Sequence, residues 1–118
     1  MNFLQLKRGD IYYGNLDPVL GSETGKTRPV LVIQNDIGNI YSPTTIVAVI
    51  TEYSKKKASY PICVAIKKDK GLKKHSIVNL SQIRTIDKKR LVTPKITTLS
   101  NDIMKQVDQA LKNSLALD

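Results

Sequence analysis

Short apolar runs separated by polar punctuation dominate this chain, and their periodicity is mostly two residues rather than 3.6. β-Branched, apolar stretches at 11–15, 29–34, 45–51, 62–66 and 77–80, with a further one at 82–86, predict strands. Gly, Asn, Pro and Ser fall between them, in Leu20-Gly21-Ser22-Glu23-Thr24-Gly25, Gly38-Asn39 and Ser42-Pro43, so short loops and hairpins should join the strands. A different pattern closes the sequence. Ser100 is a good N-cap, Asp102 suits a first turn, and Ile103, Val107, Ala110, Leu111 and Leu115 recur at helical spacing, which predicts one amphipathic helix. Between these regions a helical turn is expected from Asp87 through Leu91, stopped by Pro94, with 96–99 as a last short strand. The architecture implied is β-rich α+β: a mostly antiparallel twisted sheet or small barrel of five to seven strands, with the C-terminal helix against it.

With 118 residues the chain can bury one core but not two, so 1–118 is expected to form a single domain. Hydrophobic residues at 41% and charged residues at 25% match a folding globular chain and set disorder aside. The start, MNFLQLKRGD, places its basic residues after a short apolar stretch instead of before it, so a leader or membrane anchor is not expected and a cytoplasmic location is. A single cysteine, Cys63, rules out an internal disulfide, and its apolar neighbours place it as a small core hydrophobe.

Charge changes the picture by pointing to a partner. The formal net charge is +9, and residues 1–50 hold four basic and four acidic side chains against fifteen and six in 51–118. The excess therefore lies in the second half, in Lys55-Lys56-Lys57, in Lys67, Lys68, Lys70, Lys73 and Lys74, and in Lys88-Lys89-Arg90. On loops such clusters can meet phosphates, which makes nucleic acid the obvious ligand. Each run could equally be a solvated turn or protection for an edge strand.

The candidate chemistry is narrowed by what is missing. One histidine and one cysteine, with no paired acidic motif, cannot assemble a metal cluster of familiar spacing. His75, in Lys-Lys-His-Ser, reads as a surface residue ahead of a strand, and no glycine-rich phosphate loop supports a nucleotide cofactor. What remains is phosphate chemistry without metal or histidine. RNA permits it, because its 2′-hydroxyl is a built-in nucleophile and the protein need only orient it and stabilise developing charge. Arginine suits that stabilising task, since its planar fork stays charged and pairs with two phosphate oxygens. Arg28 follows a Gly-containing loop and precedes Pro29 and an apolar strand, so it could face a cleft from a rigid base or be an ordinary strand-end arginine.

The stretch RGDIYYGNLDPVLGSETGKTRPVLVIQNDIGN, followed by SPTTIVAVIT and later by LSQIRTIDKKRL, resembles the MazF/PemK family. The likeness covers 7–51 closely, resumes over 76–91 and runs more loosely into the helix. It implies a homodimeric toxin of a type II toxin–antitoxin system with a small five-stranded, barrel-like sheet, similar to the CcdB and Src-homology-3-like folds. It further implies metal-independent, sequence-specific cleavage of single-stranded RNA, mRNA included, with no cofactor, and a co-encoded MazE-like antitoxin as partner. Carried over by position, the family's catalytic arginine and threonine are Arg28 and Thr51, the first stabilising a crowded phosphorane and the second hydrogen-bonding a non-bridging oxygen. The loop 16–27 corresponds to the family's mobile loop, where Ser22 and Glu23 stand at RNA-contacting positions and Gln82 at that of a base-reading glutamine. Arg84 matches a family arginine and could instead pair with Asp87 or brace a dimer. The segment 52–74 departs most from the family pattern, in length and charge. Two other readings share features with this one. A gyrase-binding CcdB-like toxin would have the same fold, although it would use a tryptophan-containing tail and this chain has no Trp, and a non-catalytic RNA-binding module would explain the charge but not the pairing of Arg28 with Thr51.

Overall fold

The computed structural model describes residues 5–68 and 71–118. Asp69 and Lys70 of the lysine-rich turn, and the first four residues used in judging a leader, lie outside the described residues. Six strands form one sheet: β1 (Asp10–Asn15), β2 (Thr27–Val32), β3 (Thr44–Glu52), β4 (Cys63–Ile66), β5 (Ser76–Asp87) and β6 (Leu91–Thr98). Their spatial order is β4-β5-β3-β2-β1-β6, and every paired neighbour is antiparallel. Helix α3 (Asn101–Leu115) follows, with two short helices, α1 (Asp36–Tyr41) and α2 (Lys55–Ala58), in the connections and a 3₁₀ turn at Lys88–Arg90.

The central strands read as continuous apolar runs because both sheet faces are covered. In β3, Ala48 and Ile50 face a core built with Ile11, Leu31, Val78, Leu80 and the α3 residues Met104, Val107 and Ala110. Val47 and Val49 point the other way, into a second core with Tyr12, Leu16, Val30, Val32, Ile86 and Leu91. Alternation of successive side chains across the sheet thus divides one apolar strand between two cores. Helix α3 begins as the sequence predicts: the Ser100 hydroxyl accepts from the Ile103 N–H at 3.3 Å. Met104 replaces Leu115 in the buried stripe, since Leu115 in the last turn is 51% exposed.

The sheet is not closed into a barrel, because β4 and β6 remain its two edges. The segment leading into β5 crosses the gap instead. Gly71, at φ +99°, packs so tightly on β6 that a Cβ there would lie 2.7 Å from the Ile96 carbonyl oxygen, which only glycine tolerates. Leu72 follows into the core on α3.

Several elements differ from expectation for local reasons. The two runs at 77–80 and 82–86 are one strand, broken in pattern by a bulge where Ser81 donates from its N–H and hydroxyl to the Asn79 side chain at 2.9 and 2.6 Å. Strand β6 starts at Leu91 instead of 96 and contains Pro94, which an edge strand accommodates between its paired positions. Helix α1, read as loop, is organised by the Asn35 side chain accepting from Gly38 N–H at 2.8 Å. Lys55–Lys57, expected on a loop, occupy α2 behind the N-cap Ser54. Cys63 is half-buried at the start of edge strand β4 and belongs to neither core, so its assignment to the core is corrected.

Candidate active site

Strand register brings Arg28 and Thr51 together. Val30 of β2 pairs with Val49 of β3, and continuing that antiparallel register by two residues sets Arg28 opposite Thr51. Val30 and Val49 share one core, so strand alternation projects Arg28 and Thr51 on that same face at the sheet's end. The neighbour of Arg28 on its other side is Gly14 of β1, which has no side chain to crowd the guanidinium. Arg28 Nε donates to the Gly25 carbonyl at 2.9 Å, and among the described residues no hydrogen bond or carboxylate engages Nη1 or Nη2. The Thr51 hydroxyl is buried with no hydrogen-bond partner among the described residues. Beside them opens a cavity of about 240 Å³ whose lining includes Tyr13, Arg28, Thr51, Lys73 and Lys74.

The β1–β2 loop is moored at both ends next to this pair. Leu16 N–H donates to the Lys26 carbonyl at 2.9 Å, and Lys26 N–H to Asp17 Oδ1 at 2.9 Å, closing the loop's neck. Arg84 Nη1 donates to the Leu16 carbonyl, while Arg90 Nη1 donates to the carbonyls of Asn15, at 3.1 Å, and Asp17. Gly25 sits so close to the neck that a Cβ would meet Asp17 Oδ1 at 2.5 Å, so the residue whose carbonyl holds Arg28 must be small. Gln82 Oε1 faces the Thr24 N–H at 3.5 Å, placing the glutamine against the loop. Ser22 and Glu23 are exposed at its tip, and the Glu23 carboxylate accepts from the Leu20 N–H, folding the tip on itself.

The sequence-predicted residues therefore gather in one region: Arg28 and Thr51 at the sheet end, Gln82 against the loop, Ser22 and Glu23 on it. Arg84 engages a loop carbonyl, not Asp87. The Lys88-Lys89-Arg90 run fits neither of its two readings, a phosphate-facing cluster or a solvated turn. Lys88 is 6% exposed and donates from Nζ to the Asn39 carbonyl, Arg90 holds the loop neck, and only Lys89 is exposed. No sequence signal distinguished these from surface cations, since their partners are backbone carbonyls 49 and 73 residues away. At the rim, Lys74 and Glu52 form an ion pair at 2.7 Å; hydrogen bonding to Lys74 lowers the Glu52 carboxyl from its ordinary range, and the same bond raises the Lys74 ammonium. Among the described residues no three His, Cys, Asp or Glu side chains group closely enough to hold a metal, and no helix is long and apolar enough to cross a membrane.

Fold and site together define a class: a small antiparallel-sheet protein with a C-terminal helix packed on one face, presenting at one sheet end an arginine and a hydroxyl without a partner among the described residues. Residues 7–115 match the family described as PemK-like, MazF-like toxin of type II toxin-antitoxin system, and the chain belongs to that family. It is 57% identical over 113 residues to Endoribonuclease EndoA of Bacillus subtilis, covering 95% of this chain and 96% of that protein. Its fold is similar to that of the solved MazF of Deinococcus radiodurans, with a TM-score of 0.82 at 21% identity, 98% of this chain and all of the other being covered. A mycobacterial endoribonuclease solved in complex with its cognate antitoxin aligns with a TM-score of 0.78 at 21% identity, over 96% of this chain and 97% of that one.

Proposed function

We propose that this chain, as one domain, is a metal-independent endoribonuclease toxin that cleaves single-stranded RNA, mRNA included, at Arg28 and Thr51. Endoribonuclease activity follows from membership of the toxin family and from the 57% identity to EndoA. The observation that carries the site is the buried Thr51 hydroxyl, without a partner among the described residues, across the register from Arg28. A buried hydroxyl without a partner costs about 1–3 kcal/mol, a cost recovered when a substrate oxygen supplies the missing bond.

In this reading the scissile phosphate lies between the two side chains. The ribose 2′-oxygen, giving up its proton, attacks phosphorus as the bond to the 5′-oxygen breaks and that oxygen takes up a proton, leaving a 2′,3′-cyclic phosphate and a 5′-hydroxyl. Arg28 donates from Nη1 and Nη2 to the non-bridging oxygens, where negative charge accumulates, and the Thr51 hydroxyl donates a hydrogen bond to one of them. Arginine holds its proton too tightly to serve as the base, so its contribution is electrostatic and orienting. Ser22, Glu23 and Gln82 contact the flanking nucleotides, and the amide of Gln82 reads base edges. Incubating the protein with a long unstructured RNA in EDTA, with Arg28→Ala alongside, tests this. Discrete cuts with 5′-hydroxyl ends by wild type alone are expected; equal cutting by the variant would remove Arg28 from the chemistry.

The same reading makes the protein a cytoplasmic homodimer controlled by a MazE-like antitoxin, whose acidic, flexible segment would occupy the cavity beside Arg28, Lys73 and Lys74 in place of RNA. The solved antitoxin complex of a relative with this fold supports that partner. Co-purification with the neighbouring small reading frame's product at moderate salt is the expected result.

A further inference from the structure

Tyr53 and His75 form a parallel stack at the edge of the candidate site that neither family membership nor the reading above employs. Their ring centroids are 3.9 Å apart and their planes differ by 6°. Tyr53 N–H donates to the His75 carbonyl at 3.1 Å, extending the β3–β5 ladder one step beyond the Glu52–Ser76 pair. The two rings are therefore cross-strand neighbours held by the sheet, not mobile loop residues. Strand alternation puts Tyr53 on the face of Thr51, two residues or about 7 Å further along. Tyr53 is 39% exposed and His75 is exposed, so the stack is accessible. Cations flank it in the chain: Lys73 lies two residues before His75, and Lys55 and Lys56 lie two and three residues after Tyr53, all exposed, while Lys74 is held by Glu52.

We propose that this stack is a binding subsite for one nucleobase of single-stranded RNA, adjacent to the base at the scissile phosphate, with the lysines on either side meeting the neighbouring phosphates. The inference rests on the ribonuclease reading of Arg28 and Thr51. An unpaired base extends an aromatic stack without needing hydrogen bonds, because every base has a π-face. The spacing from Thr51 is comparable to one extended nucleotide step, so the base on the platform belongs to a nucleotide beside the cut. The subsite gives a role to lysines in 52–74, the segment that departs most from the family pattern. It should bind without strong preference for base identity and with marked salt dependence.

The test uses full-length protein and a short single-stranded oligoribonucleotide containing the mapped cut site, made uncleavable by a 2′-deoxy sugar at that position. Binding is measured for wild type, Tyr53→Ala, Tyr53→Phe and His75→Ala, each with a set of oligonucleotides carrying one abasic nucleotide in turn. Tyr53→Ala and His75→Ala are expected to weaken binding of the intact strand about tenfold, while Tyr53→Phe binds as wild type. One abasic position should cost wild type about tenfold and cost Tyr53→Ala little, since the platform is already gone. Losses that simply add at every position, or a Tyr53→Ala variant that binds as wild type, would overturn the subsite. Circular dichroism melting of each variant separates lost stacking from misfolding, and a melted Tyr53→Ala leaves His75→Ala to carry the same comparison. Failure of wild type to cut the unmodified strand would instead sink the ribonuclease reading, so the two failures are distinct.

Discussion

The two ends of the central strands hold buried polar groups in opposite states. At the end where β3 begins, Asn39 is 2% exposed and saturated. Its Oδ1 accepts from the Thr45 hydroxyl at 2.8 Å and Gln34 Nε2 at 3.1 Å, its Nδ2 donates to the Gln34 carbonyl at 3.0 Å and Asp36 Oδ1 at 3.2 Å, and its carbonyl receives Lys88 Nζ. At the end where β3 finishes, the Thr51 hydroxyl is equally shut away from solvent and has no partner among the described residues, opposite an arginine that spends one nitrogen on a loop carbonyl. A saturated network adds stability and specifies one packing. An unsaturated one stores unfavourable free energy that a ligand can release, and is where function is to be sought.

The comparison yields predictions that could break it. The largest effect is expected at Arg28: replacement by Ala should lower RNA cleavage about 10³-fold at an unchanged melting temperature, and by Lys nearly as much, because a point charge cannot span two phosphate oxygens. Comparable loss of stability in either variant would show that the arginine is a strut. Thr51→Val comes next, keeping the shape while deleting the hydroxyl. It should reduce kcat about 10- to 100-fold and leave the fold as stable as before or slightly more so, since the change removes an unpartnered polar atom. At the other end Asn39→Ala should cost about 2–3 kcal/mol, seen as a Tm lower by roughly 5–15 °C, with kcat on the remaining folded protein unaltered. Should Asn39→Ala alter kcat and Thr51→Val alter Tm, the division between the two ends would fail.

The smallest effect is that of the rim pair. The lowered Glu52 carboxyl contributes stability only above its usual titration range, and that contribution fades as pH falls through its lowered value. The raised Lys74 ammonium contributes below its ordinary value and fades as pH rises through the raised one. Between those limits the pair is fully formed, yet its side chains are 74% and 70% exposed, so Glu52→Gln should move Tm at pH 7 by no more than about 2 °C.

Much of this molecule was legible one residue at a time. Period-two runs marked the sheet, Ser100 and the stripe through Val107 and Ala110 marked α3, and family resemblance singled out the Arg28-Pro29-Val30 and Val49-Ile50-Thr51 stretches as the candidate site proposed above. Elements that depend on a single side-chain cap inside a poor helix former, such as α1, left little trace. Pro94 read as a stop because its place at a sheet edge is a property of strand order, not of neighbours in sequence.

The sequence by itself determined where most of the strands and the C-terminal helix lie, since side-chain alternation, capping and burial preference are local. It also determined the chemical equipment, because net charge and the scarcity of His and Cys follow from composition alone. Only the tertiary structure decided what those side chains do. The pairing of Arg28 with Thr51 arises from the register of β2 on β3, and the mooring of the loop neck by Arg84 and Arg90 links residues 68 and 73–75 positions apart. The stacking of Tyr53 on His75 closes a ladder across 22 residues. Such contacts depend on how strands are ordered and how far they slide, and the free energies that choose among registers are summed over two buried faces instead of being carried by any one residue.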